Sequence, residues 1–311
     1  MTPPDASVVP LRVGDVLASA ADALGSVPQA RWIVAQATGM GTGDLVARPD
    51  LVVAPAASDA VRAMVERCRA GEPLQYVLGT WAFRSLELRV DRRVLIPRPE
   101  TEHVVEVALE ELRAQAWRDA PPSGLVAVDL GTGSGAIALS LAAEFDASPR
   151  SVPPPPLAVW ATDMSGGALE VFDENLATLA QRSPDTASRV HVAQGSWFDA
   201  LPPALAGTVH LVVSNPPYVS GSEWEALETV VREHEPQSAL VSGPTGVEDI
   251  ELLLNAAPDW LDRGGSLVVE LAPAQAPSMR ARATEIGYET SEIRVDLAGR
   301  PRVLVARWPG A

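Results

Sequence analysis

The 311-residue sequence contains no lysine, so all 24 of its formal cations are arginine. Set against 40 acids, they leave a formal net charge of −16. Abundant Ala, Pro, Val and Arg with no lysine reads as genomic base composition, and no function is drawn from it. The acidic balance does argue against a duplex-binding enzyme, which needs a broad positive face to neutralise phosphates. Cys68 is the single cysteine, which excludes an internal disulfide and fits a reducing cytosol. There is no apolar run of about eighteen residues, and Met1 to Asp15 carries acids with no basic cluster ahead of an apolar stretch. Neither a membrane span nor a signal peptide is therefore expected. The four histidines, His103, His191, His210 and His234, show no ligand spacing with the cysteine or with one another, so no metal site is expected.

What is present is enough to bury a core: 47% apolar residues over a length suited to one large or two medium domains. The first part, 1–74, reads as a small helical domain. Apolar residues recur at three and four spacing over Leu11 to Leu24, Val27 to Ala37 and Ala57 to Ala70, with Ser58 and Asp59 as a cap for the third helix. Such a domain serves either as a stabilising bundle or as a docking module for a protein partner. Residues 75–97 change to short strand-like runs, Gln75 to Gly79, Trp81 to Phe83, Leu86 to Val90 and Val94 to Ile96, which read as a β-hairpin linker. Pro97-Arg98-Pro99-Glu100-Thr101-Glu102 then gives a stiff lead into a helix over His103 to Trp117, with Thr101 and Glu102 read as its caps.

Within 98–311, strands near 125–129, 158–163, 189–193, 210–214, 266–270, 290–295 and 302–307 alternate with helical segments. That alternation predicts an α/β domain with a mostly parallel sheet covered on both faces. The tail, Glu292 to Arg307, predicts a closing hairpin. Ligands of such sheets lie beyond the carboxyl ends of the strands.

Two stretches carry chemistry there. Val126 to Ile137 holds an apolar strand, Asp129, and a Gly131-Thr132-Gly133-Ser134-Gly135 turn into a helix. Glycines allow close backbone approach by a small molecule, but the spacing G-x-G-x-G differs from the dinucleotide fingerprint. Asp163 ends the next strand, where a carboxylate can accept both hydroxyls of a ribose. It lies unusually far past Gly135, and the Pro-rich insert Ser148 to Pro156 accounts for the excess. The second stretch is Val212 to Tyr218, a short apolar strand ending in Asn215-Pro216-Pro217-Tyr218. Proline restricts its own φ and that of the residue before it, so the strand end leaves in a defined direction. The Asn215 side-chain oxygen and the Pro216 carbonyl then make a pair of acceptors beside an aromatic ring. That arrangement suits a planar amino group, and together the two stretches point to S-adenosylmethionine as the cofactor.

The joint pattern is more specific than either part. Pro73 to Gly79, Ile96 to Glu102, the Gly131 loop, Gln194 to Phe198, Asn215 to Tyr218, Glu235-Pro236 and Asp296 to Gly299 closely resemble the release-factor glutamine N5-methyltransferases, the PrmC/HemK family. The resemblance runs from about residue 30 to 307. It implies a seven-stranded class I (Rossmann-like) methyltransferase sheet and methylation of the glutamine in the Gly-Gly-Gln motif of class 1 peptide chain release factors. A cytoplasmic location, a monomer and no direct contact to nucleic acid are expected beside it. The cofactor-holding residues it implies are Asp129, Gly131, Thr132, Gly133, Gly135, Asp163, Met164, Ser196, Trp197 and Asn215, with Trp197 bordering the adenine. The implied catalytic residues are Asn215 and Pro216, which hold the amide N–H groups, and Tyr218, which stacks on the amide plane; the implied substrate contacts are these with Pro217, Arg98 and Glu102. The sequence departs from the family pattern at Ser196, where an acid is usual, at Ser242 to Gly246, and at Glu270-Leu271-Ala272. These departures leave in view a paralogue acting on another protein glutamine. A second alternative, an adenine-N6 methyltransferase, shares the Asn-Pro-Pro-Tyr tip but lacks the Ile-Pro-Arg-Pro segment and is disfavoured by the charge balance and the helical front end. A partner-binding protein that has lost the cofactor is a third.

Overall fold

The structure is a computed structural model in which residues 10–119, 124–145 and 155–310 are described. Met1–Val9 and most of the Pro-rich insert, 148–154, lie outside the described residues. The chain divides into two compact units between Thr80 and Trp81, inside the stretch read as a linker.

The first unit holds the helices Val13–Leu24, Val27–Thr38, Thr42–Ala47, Pro55–Arg69 and Leu74–Leu78. Gly25 and Gly39 end the first two in the left-handed conformation, at φ 63° and 69°. Ser26 caps the second, accepting the Gln29 N–H at 3.4 Å. The fourth helix corrects the expected cap at Ser58 and Asp59. It starts at Pro55, whose fixed φ opens a helix without a side-chain cap, so both residues fall inside it. A core of Val13, Ala30, Ile33, Val34, Leu45 and Val61 is buried between these helices. The expected strand at Gln75 to Gly79 is a short helix instead. Tyr76 and Val77 are buried, and Gly79, at φ 75°, ends it. A short buried apolar run does not announce by its periodicity which of the two it forms.

A two-stranded sheet follows, β1 (Thr80–Phe83) with β2 (Leu86–Arg89), while Val94 to Ile96 forms no strand. The second unit is then built on seven strands: β3 (Leu125–Leu130), β4 (Leu157–Asp163), β5 (Val190–Gln194), β6 (Val209–Ser214), β7 (Leu261–Glu270), β8 (Thr290–Val295) and β9 (Pro301–Arg307). Their order across the sheet is β5-β4-β3-β6-β7-β9-β8. Neighbours from β5 to β7 are parallel, and β9 runs antiparallel to both β7 and β8, so the predicted closing hairpin is present.

Successive residues of β3 serve opposite faces. Leu125 and Ala127 join the core beneath the helix Pro99–Asp119, whereas Val128 and Leu130 join that of Ile250, Leu253 and Met279. Burial on both sides is why the inner strands β3, β6 and β9 are nearly continuous apolar runs rather than alternating ones. The order reverses between β3 and β6, and that switch point opens a crevice at the carboxyl ends of β3, β4 and β6.

Candidate active site

The glycine turn is held from below and open above. Asp129 is fully buried, and its Oδ2 accepts the Thr132 hydroxyl at 2.6 Å and the Ala138 N–H at 3.0 Å. It therefore ties the turn to the following helix, Ala136–Glu144, and does not line the cleft. Its Oδ1 has no partner among the described residues, and burial pushes this carboxyl up to about 7. The Gly131 and Thr132 N–H groups both donate to the Thr162 carbonyl at 2.9 Å, stitching the turn to β4. Gly133, at φ 56°, donates its N–H to Asp163 Oδ2 at 2.9 Å, and a Cβ there would meet nothing within 4 Å. Gly135 differs: a Cβ would lie 2.7 Å from the Phe172 ring, so this glycine serves close packing and stands outside the cleft wall.

Above the turn lies a cleft of about 1030 Å³, open solvent at its mouth included. Gly131, Thr132, Gly133, Asp163, Met164, Ser196, Trp197, Asn215 and Pro217 all line it, against an apolar wall of Val94, Leu95, Pro97 and Ile137. The Asp163 carboxylate borders the cleft at the end of β4. Its Oδ1 accepts the Ser165 N–H at 2.9 Å, and burial raises its pKa against the lowering effect of the backbone N–H groups. Trp197 sits at φ 47°, a left-handed conformation that strains a bulky residue. The result is an indole laid across the glycine turn, 3.3 Å from where a Gly131 Cβ would be. Ser196 and Met164 are exposed at the rim.

The Asn-Pro-Pro-Tyr tip leaves the end of β6 beside this cleft. The Asn215 Nδ2 group donates to Thr101 Oγ1 at 3.1 Å, and the Thr101 hydroxyl donates to Glu270 Oε2 at 2.7 Å. Tyr218 Oη donates to the other Glu270 oxygen at 3.4 Å. The chain beyond the tip is fixed as well, because the Tyr218 and Val219 N–H groups share the Leu240 carbonyl and Gln275 Nε2 donates to the Tyr218 carbonyl at 2.9 Å. Among the described residues nothing donates to Asn215 Oδ1 or to the Pro216 carbonyl. Two acceptors at the tip thus have no protein donor among the described residues.

Several expected contacts are placed elsewhere. Pro216 is buried, and Tyr218 is half-buried with its hydroxyl turned to Glu270, so neither lines the cleft. Arg98 does not reach it either. Its guanidinium is held at 2.6 Å by Glu235, which also accepts the Ile96 N–H at 3.2 Å, so Arg98 fixes the segment carrying Pro97. Glu102 accepts the Arg84 backbone N–H at 3.1 Å, away from the cleft. Thr101 is not a helix cap: its hydroxyl bridges β7 and the β6 tip. The reading of the sequence missed that bridge and with it Glu270. Glu270 closes a parallel strand on the same rim as Asp163, and the rule that picked out one acid applies equally to the other. Among the described residues no group of three or more His, Cys, Asp or Glu could hold a metal, and no helix is long and apolar enough to cross a membrane.

Comparison with known proteins gives one family match, two close relatives and one likeness of fold. Residues 16–79 match the PrmC N-terminal domain family. A release factor glutamine methyltransferase of Rhodopirellula baltica is 39% identical over 246 residues, covering 79% of this chain and 77% of the relative. A release factor glutamine methyltransferase of Aliivibrio fischeri is 35% identical over 264 residues, covering 85% and 84%. Among solved structures, the catalytic domain of hMettl16 in complex with a MAT2A 3'UTR hairpin superposes with a TM-score of 0.51 at 13% identity, over 81% of this chain and 82% of that one. That last likeness concerns the fold alone.

Proposed function

The chain belongs to the release factor glutamine methyltransferases, and on that premise we propose that it methylates the side-chain amide nitrogen of a glutamine in a class 1 peptide chain release factor, using S-adenosylmethionine. The glutamine of the Gly-Gly-Gln motif is the one assigned. The observation that carries the reading is a pair of acceptors to which nothing among the described residues donates, Asn215 Oδ1 and the Pro216 carbonyl, at a rigid strand end whose Asn215 lines the cleft. A primary amide has two in-plane N–H donors, and such a pair can take both.

The cleft residues fit the cofactor. Gly133 leaves its backbone open to a ligand, Asp163 keeps acceptor lone pairs for ribose hydroxyls, and the Trp197 ring offers a flat apolar face for an adenine. S-adenosylmethionine supplies an electrophilic methyl carbon on a sulfonium sulfur. Ser196, where an acid is usual, offers the adenine amino group an uncharged and hence weaker acceptor.

An amide nitrogen is a poor nucleophile because its lone pair is delocalised, so placement supplies much of the rate. Asn215 and Pro216 hold the amide plane, and the nitrogen attacks perpendicular to it. With the cofactor held by the Gly131 turn, Asp163 and Trp197, methyl transfer would form an N–C bond as the S–C bond broke with its electron pair left on sulfur, and one amide proton would depart. N-methylation makes that proton strongly acidic, so water suffices to accept it and no side chain need act as a strong base. The helical first unit docks the release factor, and the enzyme works as a monomer in the cytosol, where termination factors act.

Incubation with methyl-labelled cofactor and either a release factor, the same factor with its Gly-Gly-Gln glutamine replaced, or duplex DNA tests the assignment. Label is expected in the intact factor alone. Label in the replaced factor or in DNA would overturn it in favour of another glutamine or of adenine.

A further inference from the structure

We propose that Thr101 and Glu270 are positioning residues that set which end of the Asn215 amide faces the substrate, a role resting on the methyltransferase reading above. Glu270 is 1% exposed and accepts from both Thr101, at 2.7 Å, and Tyr218, at 3.4 Å. An ionised carboxylate has no proton to give, so the single Thr101 hydroxyl proton is committed to it. Thr101 Oγ1 is then left with lone pairs only, and from Asn215, 3.1 Å away, it can accept an N–H but cannot donate to Oδ1. The amide is locked with Nδ2 inward and Oδ1 outward. Outward is where a substrate amide needs an acceptor.

Protonation of Glu270 reverses the polarity. The acid can donate to Thr101 Oγ1, the Thr101 proton turns toward Asn215, and the favoured amide rotamer presents Nδ2 to the cleft. Donor then faces donor, and the substrate amide loses half of its seat. The groups facing Glu270 are Thr101 and Glu100 from the helix Pro99–Asp119, Tyr218 from the tip, and Arg302 from β9, whose Nε lies 3.9 Å from Asp296. Burial raises the Glu270 pKa to about 7, Glu100 adds to this, and Thr101, Arg302 and Tyr218 oppose it. The seat is therefore formed as pH rises through that value and lost as pH falls through it.

The test pairs turnover with a readout on the protein itself. Thr101→Val removes the hydroxyl at nearly constant volume. It is expected to lower kcat/KM on a release factor by about 100-fold, the scale of a small misplacement, while leaving the cofactor Kd within about twofold. Thr101→Ser should restore most of the loss. In wild-type protein carrying ¹³C-glutamate and ¹⁵N-asparagine, the Asn215 side-chain signals should move with pH at the midpoint of the Glu270 carboxyl, and in Thr101→Val they should stop following it. Asn215 signals indifferent to the Glu270 titration would overturn the relay, as would a Thr101→Ser variant no better than Thr101→Val. Wild-type protein inactive on every release factor would overturn the proposed function, while the coupled titration would still decide the relay.

Discussion

At the scale of single residues, two positions that look alike in the sequence do different work. Gly133 and Gly135 belong to one turn, yet only Gly133 leaves open space where a side chain would begin. Gly135→Ala puts a Cβ 2.7 Å from Phe172 at φ 85°, and the combined strain and overpacking should lower stability by about 2–4 kcal/mol. Equilibrium urea unfolding checks this, and an unchanged midpoint would contradict the packing role. Asn215→Ala removes an acceptor and is expected to reduce kcat on a release factor by roughly 10²- to 10³-fold, as for other preorganised polar contacts, with cofactor affinity nearly retained. Steady-state kinetics beside calorimetric titration separates the two. Asp163 and Asn215 were legible because each ends an apolar strand and carries a group that can meet a ligand. Glu270 ends one too, but its partners, Thr101 and Tyr218, lie 169 and 52 residues away in sequence. Nothing local announces such a bridge.

At the scale of elements, the inner strands β3, β6 and β9 could be read from the chain because burial on both faces makes each a nearly continuous apolar run. The edge strand β8, with no buried residue, showed itself only by alternation and its place before the closing turn. The short helix Leu74–Leu78 and the cap of the helix Pro55–Arg69 could not be read, since a brief apolar run and a Ser-Asp pair each fit more than one local structure. What holds the helix Pro99–Asp119 to the end of the sheet is also long-range. Glu111 accepts from Arg307 of β9 at 2.6 and 2.8 Å and from Ser266 of β7 at 2.7 Å, with its side chain 7% exposed. Desolvation raises the Glu111 pKa, but the hydrogen bonds from Arg307 and Ser266 and the nearby arginine charges outweigh it and hold the group below its ordinary value. For a carboxylate so depressed, the stabilisation is complete above the unfolded value and is lost as pH falls through the folded one. Glu111→Ala should therefore destabilise the protein by about 3 kcal/mol at neutral pH and by progressively less in acid. Thermal unfolding at a series of pH values measures it, and a deficit independent of pH would contradict the ion pair.

At the scale of the whole molecule, the two units have separate apolar cores, one in the helices up to Leu78 and the others on the faces of the large sheet. The cleft is lined entirely by residues of the second unit, from Arg93 to Ala239. Residues 81–311 alone are accordingly expected to bind S-adenosylmethionine about as tightly as the full chain, while KM for a release factor rises at least about tenfold through loss of docking surface. Calorimetry on the shortened protein checks the first expectation and steady-state kinetics the second. The central claim is that the Asn215 tip seats a carboxamide. The most direct measurement is tandem mass spectrometry of a release factor after incubation with this protein and S-adenosylmethionine. The account predicts a gain of one CH₂ on the side-chain nitrogen of the Gly-Gly-Gln glutamine. A gain confined to any other residue, or none with the cofactor bound, would contradict it.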